Sequence, residues 1–308
     1  MDRISDFRQV YAQVVVARAG CDDPAIRAAF ARVPRHEFLP PGPWELSETC
    51  AKTPSDDPAL VYHDVAMGLV PEQGIPTGQP SLHARCIAAC APKPGDRVVQ
   101  IGVGAGYYTA ILAELVGPTG RVLGFEIDRA LARQASGNLA AWPWARVEAA
   151  SGVDAAFEAA DVIYVNAGVE KPPRSWFERL RPQGRLVLPL TPDPTPAELQ
   201  APGRVEYQRS APTISPLGGG MFLVQEQGSA EAFSVEFLCR VRLVPCIAAR
   251  DEATRPQLLQ AFRTEGCAEV RSLRLWPQKP DHSAWFVGTG FWLSTASVRR
   301  SVRVQPWR

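Results

Sequence analysis

The stretch Arg97-Val-Val-Gln-Ile-Gly-Val-Gly-Ala-Gly-Tyr-Tyr-Thr109 decides the fold of this chain. Val98, Val99 and Ile101 form an apolar, β-rich run, which is followed by three glycines at alternate positions and then by an apolar helical pattern. This order predicts a strand, a tight loop and a helix. Glycine permits positive φ and close approach of a ligand, and the start of a helix presents unpaired N–H groups. The sequence therefore predicts a site for a nucleotide-like ligand.

The spacing of the glycines narrows the kind of ligand. Gly102, Gly104 and Gly106 give G-x-G-x-G, whereas dinucleotide sites carry G-x-G-x-x-G. A second predicted strand, Arg121–Asp128, carries Glu126, 24 residues after Gly102. A carboxylate at the tip of that strand can accept hydrogen bonds from both hydroxyls of a ribose. Loop and acid together favour a nucleoside-containing cofactor over a plain glycine-rich turn with a surface glutamate.

Composition sets wide limits. The 308 residues allow one large or two ordinary domains, and 46% hydrophobic residues are enough for a substantial core. The 33 basic and 32 acidic residues leave a net charge of +1, so composition argues for neither nucleic acid nor an anionic membrane as an obligate partner. The first residues lack the pattern of a signal peptide, and no run of about 18 apolar residues occurs. We therefore predict a cytoplasmic protein; its oligomeric state is left open.

The cysteines predict neither disulfides nor a metal centre. The seven cysteines are odd in number and scattered along the chain, without the framework of a disulfide-rich protein. His83, Cys86 and Cys90 do stand at i, i+3 and i+7 of a predicted helix, a pattern that can point three metal-binding groups one way. Because no second ligand cluster accompanies them, we interpret them as packed core residues.

Strand and helix alternate through the middle of the chain, which predicts an α/β fold with a doubly wound, mostly parallel sheet. The further predicted elements are strands at 145–149, 161–166 and 185–190 and helices at 81–91 and 174–180. An N-terminal helical lead-in over residues 3–33 precedes this core, and a C-terminal α+β extension follows it. We divide the chain into three regions: 1–80, 81–200 and 201–308.

The extension predicts no chemistry of its own. The segment 191–220 is rich in proline and glycine and reads as a linker or irregular loop. Beyond it, strands are predicted at 221–225, 233–244, 270–275 and 285–293, and a helix at 255–263. Trp276, Trp285 and Trp292 stand at strand spacing, which is more typical of a core than of a substrate cover. The arginines of the last ten residues predict a solvated tail: Arg299, Arg300, Arg303 and Arg308.

Over roughly residues 3–250 the chain resembles the protein-L-isoaspartate O-methyltransferases, because six motifs occur in that family's order. They are VPRHEFL from Val33, YHD from Tyr62, the pair Gln79-Pro80, QIGVGAGY from Gln100, RPQGRLVLP from Arg181 and VRLVP from Val241. The resemblance implies a class I, Rossmann-like methyltransferase fold and S-adenosylmethionine as cofactor. It also implies methyl transfer to a carboxylate oxygen of an isomerised aspartyl residue in a protein or peptide, as in protein repair.

The resemblance and the glycine loop together give a set of candidate site residues. Those expected at the cofactor are Gln79, Gln100, Gly102, Val103, Gly104, Ala105, Gly106, Glu126, Ile127, Ser151, Gly152 and Asn166. For Asn166, contact with a ligand and a turn-forming role both remain open. Those expected at the reaction are Thr77, Gly78 and His83. Thr77 would position the acceptor and His83 would assist from the start of its helix, with a core role as the alternative for His83.

Three departures from the family pattern affect these expectations. Gly78 stands where the family usually has a serine, Gln100 where it has an acid, and Ser151 where it has an aspartate. A neutral group gives up a charge-assisted hydrogen bond, which is roughly twice as strong as a neutral one. We therefore expect weakened cofactor binding or a re-paired pocket, with Gln100→Glu strengthening binding by about 1 kcal/mol. We also expect slow or absent transfer to a simple isoaspartyl peptide, improved by Gly78→Ser.

Two other functions remain open at this point. One is a cofactor-binding protein that has lost transfer activity and acts as a structural or regulatory partner. The other is a methyltransferase for a different acceptor, such as a biosynthetic peptide, a small molecule or RNA, with the C-terminal extension as acceptor domain. A carboxylate acceptor is ionised at pH 7 and needs no general base, which fits a loop without a Ser-His or His-Asp pair.

Overall fold

A computed structural model describes residues 3–192 and 218–298 of the chain. Two sequence-based expectations concern residues outside these ranges. They are the irregular segment at 191–220, apart from its first two and last three residues, and the arginine tail.

The helices and strands follow the predicted alternation. The helices are α1 (Arg3–Ala19), α2 (Pro24–Arg32), α3 (Pro80–Cys90), α4 (Tyr107–Val116), α5 (Arg129–Asn138), α6 (Arg174–Glu178) and α7 (Arg255–Arg263). The strands are β1 (Gly68–Val70), β2 (Ile75–Pro76), β3 (Arg97–Ile101), β4 (Arg121–Glu126), β5 (Ala145–Ala149), β6 (Ala160–Val165), β7 (Leu180–Leu190), β8 (Gly219–Glu226), β9 (Ala232–Val241), β10 (Ser272–Leu275), β11 (Ala284–Gly288) and β12 (Phe291–Ser294).

A single ten-stranded sheet organises the molecule, in the order β11-β12-β10-β9-β8-β7-β6-β3-β4-β5. The pairs from β7 to β5 are parallel, because helices or long connections separate those strands along the chain. The pairs from β7 to β11 are antiparallel. The α/β prediction with a doubly wound parallel core is therefore confirmed, and the extension adds an antiparallel half to the same sheet.

Both faces of the parallel half are covered. On one face, side chains such as Val98 and Val162 pack in a core with helices α1 to α4. On the other, neighbours such as Val99 and Ile163 pack with α6 and α7. Successive residues of a strand point to opposite faces, so strands buried on both sides are continuously apolar, as the sequence shows.

The prediction of one strand is wrong in its extent. The stretch expected to be a single strand from Trp285 to Leu293 is the hairpin of β11 and β12, which turns at Thr289 and Gly290. Gly290 has φ +88°, a value that lets the chain reverse there. Trp292 is fully buried and Trp285 packs against Phe262 with ring centroids 5.3 Å apart, as expected of core residues. The expectation is wrong for Trp276, which follows the end of β10 and is 52% exposed.

Glu170 ties the extension to the core. It follows β6 and is completely buried. Its carboxylate accepts hydrogen bonds from the Asp251 N–H at 2.7 Å and from Arg255 Nε at 2.6 Å, and it pairs with Arg250 at 2.6 Å. The strands of the extension also continue the core sheet. The division of the chain at residues 80 and 200 stays a prediction. Within the described ranges, every helix is too short or too polar to cross a membrane.

Candidate active site

The glycine loop lies at the carboxyl edge of the parallel strands, between β3 and α4. Gly102, Gly104 and Gly106 have φ values of +78°, +59° and +96°, a region that side chains with a Cβ rarely adopt. A Cβ on Gly102 would lie 3.2 Å from the backbone oxygen of Asn166. Gly106 is the residue before the first turn of α4, whose N–H groups therefore face the loop. Because these three positions carry no Cβ, a ligand can approach the loop backbone closely.

Glu126 stands where the second strand was predicted to end, and it braces the loop. Its side chain accepts hydrogen bonds from the Gly104 N–H at 2.8 Å and from the Asp128 N–H at 3.0 Å. Burial raises the pKa of this carboxyl above its ordinary value, and those two N–H groups act in the opposite direction. The carboxylate is thus held beside the loop at the place expected for a ribose partner.

The side chain of Gln100 makes its hydrogen bonds within the protein. It is fully buried, its Oε1 accepts a hydrogen bond from the Thr109 hydroxyl at 2.8 Å, and its Nε2 donates to the Gly102 oxygen at 3.4 Å. The amide therefore joins the first turn of α4 to the loop. Contact with a cofactor ammonium, expected from the sequence, would require these two bonds to be exchanged.

This geometry changes the expected result for Gln100→Glu. A second carboxylate oxygen would face the Gly102 oxygen where the amide now donates, and a buried group without its partner costs about 1–3 kcal/mol. We expect that loss in the free energy of unfolding, measured by urea titration at pH 7, and no gain in affinity for S-adenosylhomocysteine. A tenfold gain in that affinity, measured by calorimetry, would instead support the contact with the cofactor ammonium. Thr109→Val, which removes the other partner of the amide, is the matched control.

A cavity opens beside the loop and brings two separate parts of the chain together. Of the residues predicted to bind the cofactor, four line this cavity: Val103, Gly104, Ala105 and Asn166. From the reaction candidates it is lined by Thr77. Asn166 also donates from Nδ2 to the Gly102 oxygen at 3.3 Å, so it contacts the cavity and fixes the loop at once.

Thr77 is held by the backbone of Met67, the residue before β1. Its N–H donates to the Met67 oxygen at 2.7 Å, and its hydroxyl accepts from the Met67 N–H at 3.1 Å. The hydroxyl in turn donates to the Gly78 oxygen at 3.2 Å. Thr77 is thereby fixed at the end of the β1–β2 hairpin, with its side chain lining the cavity.

His83 is a buried, neutral residue behind this loop. Its ring stacks on Tyr108 with centroids 3.5 Å apart, and Nδ1 lies 2.8 Å from the Tyr164 hydroxyl. Burial, together with the smaller effect of the Arg35 charge, lowers the pKa of His83 to about 3. His83 is absent from the cavity wall, so this position supports the core interpretation over a catalytic role, which stays a prediction.

Gly78 cannot simply be exchanged for the serine of the family pattern, and the expectation of an improved enzyme is corrected here. Gly78 has φ +80°, and a Cβ at this residue would lie 2.3 Å from Nε2 of His83. Its carbonyl oxygen accepts hydrogen bonds from Tyr108 and Thr77. The close approach of the histidine ring requires glycine at this place.

Four further cofactor candidates are Gln79, Ile127, Ser151 and Gly152. Gln79 donates to Asp64 at 3.4 Å, Ile127 is 53% exposed next to Glu126, and Ser151 accepts from the Val153 N–H at 3.3 Å. A Cβ on Gly152 would lie 2.5 Å from Ile101, so the turn after β5 is packed onto β3. None of these four lines the cavity, and their role at the cofactor stays a prediction.

Part of the cavity wall is formed by residues that the sequence did not predict at the site. Arg35, Phe38 and Leu39 come from the segment after α2, and Tyr107 and Tyr108 from the first turn of α4. The signal was present, because the motifs VPRHEFL and QIGVGAGY contain them, but those motifs were interpreted only as marks of resemblance. Among residues 3–192 and 218–298, no group of three or more His, Cys, Asp or Glu is placed to hold a metal ion.

A parallel sheet, a glycine loop opening a helix and an acid at the end of the next strand define a class I, Rossmann-like methyltransferase. Solved structures show the same fold. A protein-L-isoaspartate O-methyltransferase matches 82% of this chain and 69% of its own, with a TM-score of 0.60 at 22% identity. A proposed enzyme of that name from Plasmodium falciparum, in complex with S-adenosyl-L-homocysteine, matches 78% and 97%, with a TM-score of 0.56 at 16% identity.

Sequence comparison then gives the family. The profile of "Protein-L-isoaspartate(D-aspartate) O-methyltransferase (PCMT)" matches residues 14–211. Protein-L-isoaspartate O-methyltransferases from Methanoregula boonei and Aeropyrum pernix are 36% and 35% identical over 60% and 59% of this chain and over 79% and 67% of their own. The chain belongs to the protein-L-isoaspartate O-methyltransferase family, whose enzymes use S-adenosylmethionine.

Proposed function

We propose that this protein transfers a methyl group from S-adenosylmethionine to the free carboxylate of an isoaspartyl residue in a protein or peptide. One observation carries the assignment of the site: a single cavity joins Gly104 of the glycine loop to Thr77 of the opposite loop. A cofactor held by the first and an acceptor held by the second would meet there. The positive φ values and the bracing carboxylate of Glu126 suit a nucleoside cofactor.

The reaction asks little acid–base chemistry of the chain. When bound, S-adenosylmethionine supplies a methyl group already activated on a sulfonium. A carboxylate oxygen of the acceptor would take that methyl group, forming an O–C bond as the S–C bond broke, and no proton would have to move. The chain's contribution is to hold that oxygen in line and to exclude water. A neutral, buried His83 is consistent with a site that uses no general base.

Thr77 would position the acceptor carboxylate by turning its hydroxyl proton from the Gly78 oxygen to the acceptor oxygen. Replacing it by valine is expected to lower kcat/KM for an isoaspartyl peptide about 10- to 100-fold, the worth of one hydrogen bond to a charged group. The affinity for S-adenosylhomocysteine should change less than about twofold on the same reasoning, because valine keeps the shape of threonine. Thr77→Ser keeps the hydroxyl and is the matched control. Equal activity of the valine and serine variants would contradict this role.

The alternatives are less well supported. The loop, the bracing glutamate and the Thr77 hydroxyl are all in place, which argues against a protein that has lost its activity. The seven cysteines are free, which fits the reducing cytoplasm we propose as its location. We propose no nucleic-acid partner, because the net charge is only +1.

The proposed function is tested with a labelled methyl donor. We expect base-labile label, the mark of a methyl ester, to appear on an isoaspartyl peptide. The altered loop predicts that this transfer is slow, so the assay is run at high enzyme concentration. Calorimetry with S-adenosylhomocysteine measures the cofactor site separately. Binding without any ester would leave the cofactor assignment standing and overturn the acceptor.

A further inference from the structure

Arg35 is a buried cation in the wall of the cavity. It is 1% exposed, yet it lines the cavity together with Thr77 and Gly104. One terminal nitrogen, Nη1, donates to the oxygens of Val61 at 2.8 Å and His63 at 2.6 Å. The guanidinium is therefore anchored in one orientation by the segment between α2 and β1.

These bonds leave part of the guanidinium without a partner. Nη2 donates to the Val65 oxygen at 2.6 Å, so three of its five N–H groups are used on neutral carbonyl oxygens. The Nε atom is buried and has no hydrogen-bond partner in the described part of the chain. Buried polar groups are almost always paired, so an unpaired donor on a side chain that lines a cavity points to a ligand group.

The charge of Arg35 is not matched by a carboxylate in contact. Of the residues the structure describes, none places a carboxylate oxygen within 4.0 Å of its guanidinium. The carboxylate of Asp64, which lies between the carbonyl partners His63 and Val65 in the chain, is engaged elsewhere: it accepts the Ser81 N–H at 2.7 Å and pairs with Arg18 at 3.3 Å. A buried arginine without an ionic partner is uncommon in proteins.

The surroundings of Arg35 strengthen the attraction between its charge and an anion. The guanidinium carbon lies 5.7 Å from the centre of the Tyr11 ring, and Tyr107 and Tyr108 are buried beside the same cavity. Charges interact more strongly when aromatic and apolar side chains exclude water. A carboxylate would be favoured here, and a neutral amide of the same shape would gain much less.

We infer that Arg35 is a specificity-determining residue that holds the acceptor carboxylate in the cavity, through its Nε–H and its charge. This inference rests on the proposed function, since an isoaspartyl linkage runs through the side chain and leaves the α-carboxylate free. Arg35 would select that carboxylate, and Thr77 would orient the oxygen that reacts. Both residues touch the same cavity from different segments.

The experiment compares two peptides that differ in one group. The first carries an isoaspartyl residue, and in the second its α-carboxyl group is converted to the carboxamide. Their dissociation constants are measured at saturating S-adenosylhomocysteine, so no turnover occurs. We expect the unmodified protein to prefer the carboxylate by about 10- to 100-fold, and Arg35→Gln to lose that preference.

Arg185→Gln is the matched control. Arg185 is also largely buried, donates to a backbone oxygen, that of Ala91, and has a buried Nε without a partner, but it does not line the cavity. This variant is expected to keep the full preference. If Arg35→Gln does not fold, Arg35→Lys is used. Its ammonium is a point charge without the planar fork, so the preference should fall several-fold.

Three outcomes overturn the inference. The first is an unchanged preference in the folded Arg35 variant. The second is absence of any preference in the unmodified protein. The third is a loss of affinity for S-adenosylhomocysteine, but not for 5′-methylthioadenosine, with the peptide preference intact; the cation would then serve the cofactor's own carboxylate. Methyl transfer by the unmodified protein is recorded separately, so failure of the proposed function is distinguishable from failure of the Arg35 assignment.

Discussion

Gly104→Val is expected to weaken S-adenosylhomocysteine binding by at least about 100-fold, because the middle glycine of the loop must present bare backbone to the ligand. Gly104 has φ +59°, and its N–H donates to Glu126 at 2.8 Å. A β-branched residue is a genuine outlier at such a φ, and its side chain would also meet Leu69, since a Cβ would lie 3.2 Å from it. The substitution would therefore separate the glycine loop from Glu126.

A second valine separates backbone strain from loss of the site. Gly20 has φ +68°, lies after α1 and has no heavy atom within 4 Å of the position that a Cβ would take. Gly20→Val should therefore carry a similar conformational cost and leave cofactor affinity unchanged. Calorimetry on both variants, after a check of the folded state by circular dichroism, gives the answer. A Gly104→Val protein that folds and binds like the parent would remove the loop from the cofactor site.

Gly78→Ser is expected to destabilise the protein by about 2–5 kcal/mol, the sum of a left-handed backbone for a residue with a Cβ and of overpacking against a buried ring. The Cβ would lie 2.3 Å from Nε2 of His83. The histidine ring cannot move away freely, because it stacks on Tyr108 and is hydrogen-bonded to the Tyr164 hydroxyl. Methyl transfer should fall, since Thr77 is in the same loop. Urea titration measures the change in the free energy of unfolding.

Gly74→Ser is the control for the Gly78 variant. Gly74 has φ +66° in the same hairpin, with open space around a Cβ. It should lose only the conformational part of the free energy of unfolding. Adding His83→Ala to Gly78→Ser should recover stability if the clash is the cause. Should Gly78→Ser be as stable as the parent and methylate faster, the sequence-based expectation would stand after all.

The sequence predicted those parts of the molecule that depend on local pattern. The apolar run before Gly102 and the helical pattern after Gly106 are β3 and α4, and Glu126 ends β4 where the motif required an acid. Parallel strands place their carboxyl ends at one edge, so the loop and the acid had to meet there. Family membership followed from the order of such motifs.

The sequence could not reveal contacts between distant segments. That Gly78 is closed off by the His83 ring depends on how the hairpin loop turns back on α3, and φ at Gly78 is not encoded by its neighbours alone. The role of Arg35 depends on carbonyl oxygens 26 to 30 positions further along the chain and on a cavity wall formed by α4. Gln100 was expected at a ligand, but Thr109 takes its amide oxygen.

Methylation of an isoaspartyl carboxylate from S-adenosylmethionine can be measured on one pair of peptides. Its most direct test uses two peptides of identical sequence, one with an isoaspartyl and one with an ordinary aspartyl linkage. We expect a base-labile methyl ester on the isoaspartyl peptide and none on its isomer, with the ester lost in the Gly104→Val protein. No ester on either peptide, in a protein that binds S-adenosylhomocysteine, or equal esters on both, would contradict it.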